Sequence, residues 1–121
     1  MEWSLDRKRP IVPQLCEQIC VQISCGQFPV GCRLPSVRDI ALSAGVNPNT
    51  VQKSLEQLAE QGIVRAERGS GWYVTDSLGG ASVVKDSVIR EKTEEYFASM
   101  QALGLDVSAV KQYIKEWKYD E

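Results

Sequence analysis

Gly45-Val46-Asn47-Pro48-Asn49-Thr50-Val51-Gln52-Lys53-Ser54-Leu55-Glu56-Gln57-Leu58-Ala59-Glu60-Gln61-Gly62 is a helix with its start and stop written into it. Asn47 is a good N-cap, because its side-chain oxygen can accept from an otherwise orphan backbone N–H. Pro48 follows at the first helical position, where a missing N–H costs nothing. Gly62 stands where a left-handed C-terminal cap is wanted. Val51, Leu55, Leu58 and Ala59 recur at three and four residues and form a core stripe. Another face carries Asn49, Gln52, Lys53 and Glu56, with the Thr50 hydroxyl near the helix start. Solvated faces are usually rich in Glu and Lys, whereas amides near a helix N-terminus suit phosphates and base edges. The stretch therefore reads as a helix for the major groove of DNA.

Its surroundings support that reading. On the N-terminal side, Ser36 and Asp39 make a capping signature ahead of Val37, Ile40, Ala41 and Ala44, the inner stripe of a short helix. Gly45 allows a sharp turn into the next helix, so the pair reads as a helix-turn-helix. Arg38 points away from the stripe, as a DNA contact or as half of a surface ion pair. On the C-terminal side the period changes. Ile63–Glu67 and Trp72–Thr75 read as two short strands joined by Arg68-Gly69-Ser70-Gly71. A hairpin in that place is a wing, with Arg68, Gly69 and Ser70 at its tip able to approach a phosphate ridge closely.

An earlier helix is expected from about Pro13 to Cys25, with Leu15, Ile19 and Ile23 on one face and Gly26 ending it. Residues 1–12 read as an arm. Arg7-Lys8-Arg9 could touch phosphates, but a solvated tail with Trp3 tucked against the body is the favoured reading. Asp76–Ser82 is a linker by composition, and a helix from Val83 or Val84 to Leu103 follows. It places Ile89, Tyr96, Met100 and Leu103 on one face, with Phe97 adjoining. Asp106 caps a last helix carrying Val107, Val110, Ile114 and Trp117, with Leu105 placed to staple onto Val110. Two amphipathic helices cannot enclose a core of their own. Ile89, Tyr96, Phe97, Met100, Leu103, Val110, Ile114 and Trp117 are therefore expected to form a dimerisation surface, the alternative being extra core for their own domain.

Composition sets the limits. A chain of 121 residues, 43% apolar and 25% charged, is an ordinary globular protein. The N-terminus is charged, with no apolar signal region behind it, so a cytoplasmic chain without membrane contact is expected. Net charge is −2. Residues 1–76 hold eight basic and eight acidic side chains, so any DNA contact must come from a few placed cations rather than bulk attraction. Cys16, Cys20, Cys25 and Cys32 match no paired zinc spacing, and there is no His in the chain. No metal or cofactor is expected, and a cysteine-based metal or redox response is a minor alternative. No nucleophile elbow or phosphate loop is present, and the carboxylates are scattered over helix surfaces, so catalysis is not expected.

Taken in order, Pro13-Gln14, Leu34-Pro35-Ser36-Val37-Arg38-Asp39-Ile40-Ala41, Gly45-Val46-Asn47-Pro48-Asn49-Thr50-Val51, Leu55, Leu58, Gly62 and Gly69-Ser70-Gly71 with Tyr73-Val74 resemble the GntR family of bacterial repressors. The resemblance covers roughly residues 10–75. The short tail resembles the YtrA-type branch, whose members dimerise through two C-terminal helices. It implies a mainly α fold with a small β-hairpin: a winged helix-turn-helix domain over 1–76, then a linker and helical hairpin for dimerisation over 77–121. It further implies a homodimeric repressor of double-stranded operator DNA with palindromic symmetry. Carried over residue by residue, the DNA contacts fall on Arg38, Asn47, Asn49, Thr50, Gln52, Lys53, Arg68, Gly69 and Ser70. Some relatives have arginines where this chain has Pro48 and Gln52, so amide contacts to adenine are expected in place of guanine readout. The competing function is a winged-helix module for protein interaction. An amide face lacks the aromatic or arginine anchors such a surface wants. The residues identify no effector, and the tail is too small to enclose a ligand cavity by itself.

Overall fold

A computed structural model describes residues 1–76 and 78–119. In chain order they form α1 (Ile11–Ser24), α2 (Val37–Ala44), α3 (Pro48–Glu60), β1 (Val64–Glu67), β2 (Gly71–Val74), α4 (Gly80–Ala102) and α5 (Val107–Glu116). The chain falls into two units. The first covers Met1–Asp86 and the second opens at Ser87, within α4.

In the first unit three helices close on a single core. Leu15, Ile19 and Ile23 of α1 meet Ile40, Ala41 and Ala44 of α2 and Val51, Leu55 and Leu58 of α3. These are the stripes expected from their spacing. The wing closes one side, with Ile63, Val64 and Val74 buried in the same cluster. β1 and β2 are antiparallel, with Val64 opposite Val74, Arg65 opposite Tyr73, Ala66 opposite Trp72 and Glu67 opposite Gly71. The pleat therefore sends Val64 and Val74 inward and Arg65 and Tyr73 outward. Gly31–Leu34 lies along the free edge of β2. The Gly31 and Leu34 amides donate to the Val74 and Trp72 carbonyls, and the Val74 amide donates back to Cys32. This third partner protects an edge that would otherwise be open.

Helix boundaries follow local chemistry. α1 starts at Ile11 rather than near Pro13, because Pro13 then falls in the first turn, where backbone N–H groups have no helical acceptor anyway. α4 starts at Gly80, three or four residues before the expected start at Val83 or Val84. The Asp76 carboxylate accepts from the Ala81 amide at 3.1 Å, and Ala81 is fully buried in the first unit's core. The last three residues of the expected linker are thus helical, with Ser77 outside the described residues.

Trp3 is tucked against the body as expected, but the amino-terminal arm around it is held in place and not free in solvent. The Gln14 amide accepts from the Asp6 N–H at 2.7 Å and donates to the Asp6 and Pro10 carbonyls. One turn on, the Gln18 amide accepts from the Ser4 N–H at 2.9 Å and donates to the Ser4 carbonyl at 2.7 Å. Two glutamines on one face of α1 therefore hold the arm like a neighbouring strand. Trp3 and Leu5 pack against the core, and the Trp3 indole donates to Ser43 of α2 at 3.0 Å.

In the second unit, Asp106 caps α5 by accepting from the Ala109 amide at 2.8 Å. Val110 is fully buried. Ile89, Leu103, Ile114 and Trp117 remain exposed, at 52, 77, 47 and 59% of their surface. Tyr96 is also exposed, with its ring edge-on to Phe97, and Phe97 and Met100 are half-buried.

Candidate nucleic-acid interface

The helix-turn-helix is built from caps. Ser36 accepts from the Asp39 amide at 3.0 Å and starts α2. Gly45 ends it in the left-handed conformation, at φ 67°, and its N–H returns to the Ala41 carbonyl. A side chain at that position would be strained, and its Cβ would stand 3.3 Å from the Arg7 guanidinium. Arg7 donates to the Ala44 carbonyl at 2.8 Å and to the Gly45 carbonyl at 2.9 Å. A cation there satisfies carbonyls left open at the helix end and opposes the negative end of its dipole. The arm therefore clamps the turn that aims α3. Sequence reasoning missed this, since a basic cluster before a proline shows no target for its cations.

α3 begins as expected. Asn47 Oδ1 accepts from the Asn49 amide at 2.8 Å, and Pro48 occupies the first position. Gly62 takes positive φ after the helix, and the Ile63 amide returns to the Leu58 carbonyl. With Val51, Leu55 and Leu58 fully buried, the opposite face is fixed toward solvent. Asn49 and Lys53 are exposed on it, and Thr50 and Gln52 are half-buried. Gln52 donates to Glu56 at 3.1 Å, one turn along the same face. The Asn47 oxygen accepts the cap bond, which leaves that side chain its two N–H donors and one lone pair. Arg38 is exposed on α2, and Arg38, Lys53 and Arg68 have no ion-pair partner among the described residues.

At the wing, Arg68, Gly69 and Ser70 form a three-residue loop, closed by the Ser70 amide on the Glu67 carbonyl at 3.0 Å. The Ser70 hydroxyl is hydrogen-bonded to the Tyr73 hydroxyl. Arg65, which could have flanked the tip as a cation, is tied to Glu67 instead. Arg33 was not anticipated. It stands opposite Tyr73 on the other edge of β2. Its sequence signal is slight: a short alternating stretch, Cys32-Arg33-Leu34, before Pro35.

Two of the four cysteines, Cys16 and Cys20, are half-buried and buried in α1. Burial pushes the Cys20 thiol up to about 12, helped by Cys16 and by the Asp76 and Glu17 carboxylates. Burial also raises the Cys16 thiol, against a lowering contribution from the Ser54 side chain, and the thiol itself donates to the Ser54 carbonyl of α3 at 3.4 Å. Cys25 and Cys32 are exposed. Among the described residues no three His, Cys, Asp or Glu side chains are grouped to hold a metal ion. Among the same residues no helix is long and apolar enough to cross a membrane.

A capped helix-turn-helix with a polar outer face, followed by a glycine-tipped wing, defines a winged helix-turn-helix DNA-binding protein. Residues 12–74 match the profile of the bacterial regulatory proteins of the gntR family. The chain is 31% identical over 115 residues to the uncharacterized HTH-type transcriptional regulator YhcF of Bacillus subtilis, across 95% of both chains. It is 30% identical to the HTH-type transcriptional repressor YtrA of the same organism, across 92% of this chain and 86% of that one. A solved GntR family transcriptional regulator from Listeria monocytogenes superposes with a TM-score of 0.73 at 28% identity, covering 94% of this chain and all of the other. The chain belongs to the GntR family and is a YtrA-type, DNA-binding transcriptional regulator, not an enzyme.

Proposed function

We propose that the protein is a homodimeric repressor that acts in the cytoplasm on a palindromic operator, reading bases with Asn49 and Gln52. The observation that carries this is the division of α3. Val51, Leu55 and Leu58 of its apolar stripe are fully buried, which turns Asn49 and Lys53 outward and leaves Gln52 half-buried beside them. An exposed helix face of amides and one cation, with almost no carboxylate in its first two turns, fits the edge of a base pair better than water alone requires. Asn and Gln pair bidentately with adenine, which favours A/T-containing half-sites. Arg38, Lys53 and the Arg68-Gly69-Ser70 tip would set register on the phosphates, with Asn47 and Thr50 at the helix start beside them. Repression is the activity that the name of the Bacillus YtrA relative gives to that protein.

Ile89, Tyr96, Leu103, Ile114 and Trp117 support the dimer, because five large exposed apolar side chains on one short unit are more than a solvated surface needs. Phe97 and Met100 would extend that surface, with Val110 beneath it. Two-fold symmetry would then place the two copies of α3 about one DNA turn, or a multiple of it, apart.

Selection of bound duplexes from a random pool tests the whole reading. Paired A/T-containing half-sites at helical spacing are expected. Half-sites contacted only at G/C pairs, or single unpaired sites, would count against amide readout or the dimer respectively. Sizing a chain cut after Asp86 tests the interface separately, since a cut at Asp76 would remove Ala81 from the core. A shortened chain that stayed dimeric would put the interface elsewhere.

A further inference from the structure

Arg33 is an unassigned cation placed on the wing. Gly31–Leu34 runs along β2, so Arg33, Tyr73 and Arg65 stand in one row across that segment, β2 and β1. The pleat that buries Val64 and Val74 puts this row on the outer face. Along that face the Arg33 guanidinium reaches Gly71, the residue just after the wing tip. A Cβ at position 71 would lie 3.0 Å from Arg33 Nε and 3.3 Å from Nη2. Glycine at 71 is therefore required twice, by its φ of 125° and by the guanidinium laid across it. The nearest carboxylate in the register, Glu67, faces Gly71 from β1, but Arg65 already occupies it. Arg33 has no hydrogen-bond or ion-pair partner among the described residues. The Tyr73 hydroxyl bonds to Ser70, the residue before Gly71, and that pair keeps one hydroxyl proton to donate at the tip where the planar cation lies across Gly71. That donor set matches a phosphodiester, which arginine can engage with two parallel N–H groups.

We infer that Arg33 is a backbone contact of the DNA complex, gripping a phosphate beside the groove that the wing enters, with Gly71 as the opening that lets its guanidinium through. The inference rests on DNA binding by this domain. Its test therefore begins with the wild-type chain, whose binding to a random-sequence duplex must weaken as salt rises. A wild type that bound no duplex, or bound it independently of salt, would defeat the DNA reading itself.

The test follows fluorescence anisotropy of a labelled random duplex of about 30 base pairs over a salt series from about 50 to about 200 mM. Each phosphate contact contributes about 0.9 to the slope of log affinity against log salt, so Arg33→Gln should flatten that slope by about 0.9 for each chain bound. Its affinity deficit should then shrink by about 3.5-fold per chain from the low-salt end to the high-salt end. Arg33→Lys should restore the slope. A residue that merely packs the wing would give parallel lines, and that result would overturn the proposal. A distorted wing could flatten the slope through loss of Arg68, so the double variant of Arg33→Gln with Arg68→Gln is measured too. A double variant flatter than Arg68→Gln alone supports separate contacts. One no flatter than Arg68→Gln alone overturns the proposal.

Discussion

Replacing Arg7 with Ala separates a clamp from a phosphate contact at the amino-terminal arm. In the structure both of its terminal guanidinium nitrogens are occupied, Nη2 on the Ala44 carbonyl and Nη1 on the Gly45 carbonyl. A cation within the last turn of a helix contributes about 0.3–1 kcal/mol through the dipole, and a hydrogen bond from a charged donor about 1.5–3 kcal/mol when buried. One of these bonds is exposed and the other only partly buried, and water can reach the carbonyls once the side chain is gone. The lower end applies, giving a loss of about 1–2 kcal/mol. For a domain of this size each kcal/mol moves Tm by about 4–8 °C, so a drop of about 5–15 °C is expected by circular dichroism. DNA binding should weaken, because the turn that orients α3 is loosened, but the salt slope should stay parallel to wild type. A Tm within about 1 °C of wild type would refute the clamp. A slope flattened by about 0.9 would show that Arg7 leaves the turn to bind a phosphate.

The remaining expectations concern α3 and the thiols. Asn49→Ala should relax base preference at one operator position, at about 1–3 kcal/mol of discrimination, whereas Arg38→Ala should weaken all duplexes alike; binding of a selected site and its single-base variants separates the two. Cys20 is protonated more tightly in the folded chain, about 12, than at its ordinary value of 9.0. Its stabilising contribution is therefore complete below pH 9 and is lost as pH rises toward 12. Urea midpoints should fall over that range, and fall less in Cys20→Ala; equal declines would remove Cys20 as the cause. Thiol titration of the native protein should find Cys25 and Cys32 fast and Cys16 and Cys20 slow until urea is added. Four equal rates would contradict the packing of α1.

Much of this was legible because it is carried by residues whose chemistry is local. Asn47-Pro48, Ser36 with Asp39, Gly45 and Asp106 announce helix ends through bonds made within a few residues of themselves, and each was found where expected. The stripes of α1, α2 and α3 were readable for a similar reason, since burial repeats with the helical period. What escaped was held by contacts distant in sequence. Arg7 meets Ala44 across thirty-seven residues, and Gln14 and Gln18 hold backbone that carries no pattern of its own. The start of α4 was misplaced because Gly79-Gly80 reads as linker until Asp76 is seen to cap Ala81. Arg33 was passed over because pairing of Gly31–Leu34 with β2 exists only once the wing has folded against it.

The near-neutral charge, which argued against nucleic acid at first, becomes a limit on mechanism once each cation is placed. Of the eight basic side chains in residues 1–76, Arg7 is held on backbone carbonyls, and Arg9 and Arg65 are paired with Asp6 and Glu67. Lys8, Arg33, Arg38, Lys53 and Arg68 have no side-chain ion-pair partner among the described residues. At about 0.9 per phosphate, those five set a ceiling near 4.5 on the salt slope of one bound chain and near 9 for a dimer. A steeper slope would require cations from outside this set: Arg7, Arg9 or Arg65 released from their partners, or the basic side chains beyond residue 76. A slope close to the ceiling would mean that nearly every unpaired cation of the winged domain reaches the backbone. Sequence preference would then have to come from the uncharged groups, Asn49 and Gln52 foremost, because the cations would all be engaged in sequence-independent contacts.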